Sequence, residues 1–314
     1  MERVHRQLQS GQQLVLPHRA DYFLTSICTG GYLVSNVTQP IGIFDSGIGG
    51  LSVLRHIREQ LPAEDLRYFA DSAFAPYGEK PEEAIIERTL DIASYLLGYY
   101  RCKALVVACN TATAAAVHIL REQFPGTPII GIEPGLKPAA SITRSQVVGV
   151  LATERTLQSS KFNLLQEELG SLTGVRFIMQ ACPGLADIVE KKELYSERTS
   201  ELVRSYLLPL IEQDADTIVL GCTHYPFLQH VFEKTISEST SRTVHIVDTG
   251  IAVTRQLARV LEMQNLKNTH GSPQPGVYAM TTGDTFMLER QFEHLLNIRP
   301  AVAGVASALR RTAL

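Results

Sequence analysis

Long apolar runs are what this sequence most plainly lacks. No stretch of its 314 residues approaches the ~20 apolar positions of a membrane span. It also lacks an excess of charge. The formal net charge of -3 leaves no electrostatic footprint for nucleic acid or an anionic membrane surface. Cysteine is scarce, five residues in all, an odd number without regular spacing, which argues against a secreted disulfide framework and for a reducing cytoplasm. Missing too are CxxC, HExxH and closely spaced histidine pairs, so a zinc site is not expected. No lysine stands in a context that suggests a Schiff base to pyridoxal phosphate.

What remains is an ordinary globular composition, 45% hydrophobic and 19% charged, in a chain long enough for two domains rather than one. Residues 1–40 stand apart. They mix Arg3, Arg6 and Arg19 with polar residues, show neither clean periodicity nor a secretory signal, and read as an N-terminal extension. Cys28 within it has no motif context. From Ile41 the chain alternates. Strands are expected at Ile41–Phe44, Leu66–Ala70, Leu105–Ala108 and Pro128–Ile132. Between them Leu51, Leu54, Ile57 and Leu61 recur at helical spacing, and Pro81 with Glu82 and Glu83 opens another helix. The same order returns at Val147–Leu151, Val175–Met179, Ile218–Leu220 and Val244–Val247, with Gly149 standing where Gly42 stood. Leu202, Val203, Tyr206, Leu210 and Ile211 mark a helix in this half that contains Pro209. The expectation is an α/β fold of two similar lobes, each with a mostly parallel sheet flanked by helices. Ligands bind outside the carboxyl ends of such strands, so the cleft between the lobes is the candidate site.

Two stretches put chemistry there. In LVVACNTATAAAV (105–117) an apolar strand ends at Cys109, followed by Asn110, Thr111 and Thr113. In TIVLGCTHYPFL (217–228) another strand delivers Cys222, followed by Thr223 and His224. Each thiol sits at a strand-to-helix turn, where unpaired N–H groups favour a thiolate. Cys102 and Cys182 lack that setting and read as structural. His224 is the candidate proton partner of Cys222, and Asp45 that of Cys109. DSGIGG (45–50) fails the dinucleotide fingerprint, because Ser52 stands where the last glycine belongs, and no P-loop lysine is present. Its glycines are expected to bring backbone N–H groups to a small anion, with Asp45 and Ser46 facing the cleft; the plainer alternative is that these two cap the next helix. Two thiols on opposite walls can take and return a proton on opposite faces of one carbon. That inverts a stereocentre without a cofactor.

DSGIGG (45–50), PYGEK (76–80), ACNTATA (108–114) and LGCTHYP (220–226) together resemble the signature motifs of the glutamate racemase family, over about Ile41 to Ile251. These are cofactor-independent enzymes that interconvert L- and D-glutamate for bacterial peptidoglycan. The resemblance implies that Cys109 takes the proton from D-glutamate and Cys222 from L-glutamate, assisted by Asp45 and His224. It implies a substrate held by Asp45, Ser46, Tyr77, Gly78, Asn110, Thr111, Thr223 and His224, with neither metal nor cofactor. It points to Glu190 as a further acidic residue, whereas Glu190-Lys191-Lys192-Glu193 reads by charge as a solvated helix face. It also redraws the lobes as 41–133 with 243–314, and 134–242. The extension and the LATERT stretch (151–156) are similar to the proteobacterial branch, which implies activation by UDP-N-acetylmuramoyl-L-alanine. No nucleic-acid or membrane partner is implied, and a monomer or homodimer is expected. Rival readings are an aspartate or hydantoin racemase, a two-lobed amino-acid binding protein, and a pyridoxal-phosphate racemase.

Overall fold

Runs rich in valine, isoleucine and leucine that are buried over their whole length form the central strands of two parallel sheets, as strands covered on both faces by helices must. The computed structural model describes residues 36–271 and 276–305. The Arg-containing start of the extension and Cys28 lie outside the described residues.

The chain enters β1 (Ile41–Asp45), then α1 (Leu51–Gln60), β2 (Leu66–Ala70), α2 (Glu82–Ser94), β3 (Ala104–Val107), α3 (Asn110–Gln123) and β4 (Ile129–Gly131). It continues through α4 (Leu136–Ile142), β5 (Val147–Ala152), α5 (Glu154–Gln158), α6 (Ser160–Thr173), β6 (Arg176–Ala181), α7 (Leu185–Glu190), α8 (Glu197–Glu212), β7 (Thr217–Leu220), α9 (Gln229–Ser239) and β8 (His245–Asp248). It ends in α10 (Gly250–Met263), β9 (Val277–Thr281), α11 (Thr285–Leu296) and β10 (Ala301–Gly304).

One sheet has the order β10-β9-β2-β1-β3-β4, the other β6-β5-β7-β8. All pairings are parallel. The internal echo in the sequence is therefore an echo of topology, since β2-β1-β3-β4 and β6-β5-β7-β8 are the same arrangement. It extends to single hydrogen bonds. The residue before each candidate thiol donates its N–H to the equivalent strand of its own sheet, Ala108 to Phe44 and Gly221 to Leu151, both at 2.7 Å.

The lobe boundary implied by the family resemblance needs correction. A break after residue 242 would put β8 in the first lobe, but β8 pairs with β7 in the second sheet, Val219 opposite Val247. The chain returns to the first lobe only after Asp248, where α10 packs on α1. β8 thus belongs to the second sheet, and α10 is back on the first lobe. The return crossing is tight. A Cβ on Gly250 would fall 2.6 Å from the His56 ring, and one on Gly135, at the outward crossing, 2.8 Å from Val247.

At the end of the first sheet away from the cleft, a buried ion pair ties four segments together. Lys103 and Glu64 have side chains that are each 1% exposed, with Nζ and Oε2 2.5 Å apart. Nζ also donates to the Val37 carbonyl, and Oε1 of Glu64 accepts the Asn268 N–H at 2.8 Å. Removing one member leaves an uncompensated buried charge. Lys103→Met is expected to lower unfolding stability by about 3–5 kcal/mol, read as a reduced urea midpoint at unchanged slope.

Candidate active site in the cleft between the lobes

Strand ends from both sheets converge on a cleft of about 360 Å³. The first lobe contributes Ser46, Tyr77, Gly78, Cys109, Asn110 and Thr111, and the second Thr153, Cys182, Glu190, Cys222, Thr223 and His224. All but one of the candidate residues from the sequence thus line this space. The exception is Asp45, which is fully buried just beneath it.

Cys109 follows β3 and caps α3, its sulfur accepting the Ala112 N–H at 3.5 Å. Its thiol lies 3.6 Å from the Ser46 hydroxyl. The expected depression of its pKa by the helix end is outweighed. Burial first, and the Asp45 carboxylate second, push the thiol up to about 12, against the weaker opposing pull of Ala112 and Ser46. Asp45 accepts the Gly47 N–H at 3.1 Å and, across the cleft, the Thr223 hydroxyl at 3.4 Å. Burial raises its own pKa, with His224 pulling the other way. Neither Asp45 nor Ser46 caps α1, whose N-cap is Gly50 with no side-chain bond.

Cys222 answers from the other wall. Its sulfur is 3.6 Å from Nδ1 of His224, and Nε2 of the same ring is 2.8 Å from Oε1 of Glu190. Burial disfavours an imidazolium here. The hydrogen bonds and charges of Cys222 and Glu190 prevail and hold the proton on His224 well above the ordinary value of 6.5.

Glu190 overturns the solvated-face reading. It closes α7, faces the cleft, and its Oε1 also accepts the Ile48 N–H at 3.0 Å. The anion received by the glycine-rich loop is therefore the carboxylate of this protein's own second lobe. The glycines are needed for that approach. A Cβ on Gly47 would sit 2.1 Å from Oε1 of Glu190, and one on Gly49 would sit 2.5 Å from the His224 ring. Burial alone would raise the Glu190 carboxyl; the His224 bond and charge and the Ile48 N–H bring it below the ordinary 4.5.

Other features escaped the sequence reading. Thr153 caps α5 and meets Thr111 across the cleft, Oγ1 to Oγ1 at 3.3 Å. The LATERT stretch is the signal that contains it. Cys182, expected to be merely structural, lines the cleft with its thiol on the Gln180 carbonyl. Cys102 is structural, packed under Gly42 with its thiol pushed up to about 12 by burial. Asn110 is 5% exposed, yet neither its side-chain nitrogen nor its oxygen has a protein partner. Both polar atoms of this buried amide are thus left open at the cleft wall. Among the described residues no group of three or more His, Cys, Asp or Glu side chains is arranged to hold a metal ion, and no helix is long and apolar enough to cross a membrane.

The His224–Glu190 pair makes stability depend on pH in a defined window. Glu190 titrates below 4.5 when folded, so its contribution is complete above pH 4.5 and is lost as the pH falls through its lowered value. His224 titrates above 6.5 when folded, so its contribution is complete below pH 6.5 and is lost as the pH climbs through its raised value. The melting-temperature gap between the natural protein and Glu190→Gln is thus expected to be widest between those limits and to narrow on both sides. A gap that stays constant from about pH 4 to about pH 9 would remove this pairing from the account.

Residues 41–257 match the Asp/Glu/hydantoin racemase family. The glutamate racemase of Ralstonia nicotianae is 50% identical over 269 residues, covering 85% of this chain and 93% of that protein. Glutamate racemase isoform RacE1 from Bacillus anthracis superposes with a TM-score of 0.77 at 33% identity, over 86% of this chain and 98% of that one. The Escherichia coli glutamate racemase, solved in complex with L-glutamate and the activator UDP-MurNAc-Ala, gives 0.72 at 30% identity, over 85% and 97%. With matched strands delivering two thiols to one cleft and these relatives over most of its length, the chain belongs to the Asp/Glu/hydantoin racemase family, among its glutamate racemases.

Proposed function

We propose that this protein interconverts L- and D-glutamate by passing the α-proton between Cys109 and Cys222, without a cofactor, and so supplies D-glutamate for peptidoglycan. The observation that carries this reading is the pair of thiols. Each follows the equivalent strand of its sheet and lines the same cleft, with the Asp45 charge acting on Cys109 and the His224 ring 3.6 Å from Cys222.

From D-glutamate, the Cys109 thiolate takes the α-proton. An S–H bond forms as the C–H bond breaks, and the electron pair is delocalised into the substrate's α-carboxylate. The Cys222 thiol then gives its proton to the opposite face. From L-glutamate the roles are exchanged. Cys109 starts with its proton held tightly, because its burial and the nearby Asp45 charge both oppose a thiolate. A substrate ammonium group placed against Asp45 offsets that charge and eases ionisation of the thiol. On the other wall, His224 presents Nδ1 to the Cys222 sulfur, steadied through Nε2 by Glu190. The substrate carboxylates fall to neutral donors, namely Ser46, Asn110, Thr111, Thr223 and the Gly78 turn. Among the described residues no lysine or arginine lines the cleft. Preorganised neutral donors at the start of α3 stabilise charge developing next to the reacting carbon without trapping it as an ion pair.

The Escherichia coli relative was solved with an activator, and the LATERT stretch resembles its branch. Activation of this chain by UDP-N-acetylmuramoyl-L-alanine is part of the proposal, in the cytoplasm where such precursors are assembled. Rates that do not change when the nucleotide is added would remove that part alone.

Proton NMR in D2O tests the central claim. The α-proton signal of either enantiomer should fade as the opposite enantiomer grows, with no cofactor added. Cys109→Ser and Cys222→Ser should each slow racemisation by about 10²–10⁴-fold. Residual α-exchange should be confined to L-glutamate in Cys109→Ser and to D-glutamate in Cys222→Ser. Intact α-signals in both enantiomers, with the nucleotide also supplied, would defeat the glutamate reading.

A further inference from the structure

Tyr77 lines the cleft, but its hydroxyl does not serve it. The O–H donates to Oδ2 of Asp71 at 2.7 Å. Asp71 is the first residue beyond β2 and is fully buried. Its Oδ2 also accepts Nε of Arg88 at 2.7 Å, while Oδ1 accepts Nη2 of Arg88 at 2.5 Å and the Thr282 hydroxyl at 2.8 Å. Four donors on two oxygens use the full acceptor capacity of a carboxylate. The backbone of Asp71 is committed as well. Its N–H donates to the carbonyl of Asp45 at 3.0 Å, and its own carbonyl accepts from Phe74 and Ala75.

One residue thus gathers the end of β1 beside the reaction centre, the turn that follows β2, the helix α2 through Arg88, and the end of β9 through Thr282. The turn is packed as firmly as it is bonded. The Tyr77 ring meets Phe44 at 6.0 Å and Phe74 at 5.5 Å between centroids, and the Arg88 guanidinium lies over Phe74. Neither Asp71 nor Arg88 lines the cleft. What they reach there, they reach through Tyr77.

We propose that the buried Asp71–Arg88 pair is a positioning device for the Tyr77–Gly78 wall of the cleft, setting how tightly the substrate is held without entering the proton transfer. This rests on the racemase reading given above. Asp71 is screened from the cavity by the phenol it binds and has no oxygen free to exchange a proton with substrate. A bidentate guanidinium fixes the carboxylate plane in a way an ammonium cannot. The carboxylate in turn fixes the phenol, and with it the turn carrying Gly78.

Such a role predicts a split between binding and turnover. Tyr77→Phe should raise KM for both enantiomers by about 10-fold or more, the lower end for losing one hydrogen bond to a charged group, with kcat within about twofold. Binding of D-glutamate to the doubly substituted Cys109→Ala/Cys222→Ala protein, read by calorimetry, should weaken by the same factor when Tyr77→Phe is added. Arg88→Lys should fall between the natural protein and Arg88→Met in KM. If Arg88→Met does not fold, Tyr77→Phe and Arg88→Lys still give the answer. Unchanged KM and unchanged binding in Tyr77→Phe overturn the proposal, as does a loss confined to kcat, which would make the network part of the proton chemistry. The natural protein separates the two readings. If it racemises glutamate and Tyr77→Phe behaves like it, only the positioning role fails; if it neither turns over nor binds glutamate, both fail.

Discussion

One carboxylate oxygen links the meeting of the two lobes to the groups beside Cys222. Oε1 of Glu190, at the end of a helix in the second lobe, accepts the backbone N–H of Ile48 in the first lobe and also meets His224 beside Cys222. A contact between the lobes and a contact to the imidazole beside Cys222 therefore share one atom. Were the lobes to part, Glu190 would lose the Ile48 N–H that fixes its carboxylate against His224, and the glycine loop would lose the anion its geometry is built to receive. That loop has no room for a side chain at Gly47 or Gly49, because the space is filled from the other lobe. The glycines are interface residues.

The two thiols are matched by backbone and mismatched by surroundings. The same strand register and the same preceding hydrogen bond bring Cys109 and Cys222 to the cleft. Past that point the repeat stops. Cys109 caps a fourteen-residue helix and shares its neighbourhood with a buried carboxylate, while Cys222 leads into a short 3-10 turn and shares its neighbourhood with an imidazole. Repetition of a βα framework explains the placement of the two thiols, and what differs is the side chains around them.

What was legible in the sequence follows from which interactions are local. The buried central strands show as continuous apolar runs, so β1, β3, β5 and β7 and the thiols at their ends could be read directly. The repeated order even placed β8 in the second half, where the family resemblance had moved it to the first. Strands β9 and β10 were not read. The last is an edge strand without a fully buried residue, and its apolar pattern is correspondingly faint. Glu190 sits in a charged run whose neighbours do face solvent, so nothing local separates it from them. Its role comes from a bond to a residue 142 positions away in sequence. Tyr77 was seen as a rim residue for the right reason, its turn after β2, but the direction of its hydroxyl depends on Asp71, Arg88 and Thr282 meeting in space.

A racemase faces a constraint that this asymmetry must respect. Two enantiomers have equal free energy in water, so kcat/KM must be the same in both directions whatever the walls are made of. The difference between an Asp45-flanked thiol and a His224-flanked thiol cannot favour one direction at low substrate. It can act only on the separate terms, shifting KM and kcat together for each enantiomer, and on which thiol carries the proton between turnovers. In the proposed transfer, conversion of D-glutamate leaves the proton on Cys109, whose thiol burial and the Asp45 charge push up to about 12. The protein is then in the form that accepts L-glutamate. Whatever the two walls do to the free protein, the overall equilibrium stays where the solvent puts it. Net production of D-glutamate must then come from whatever reaction removes it.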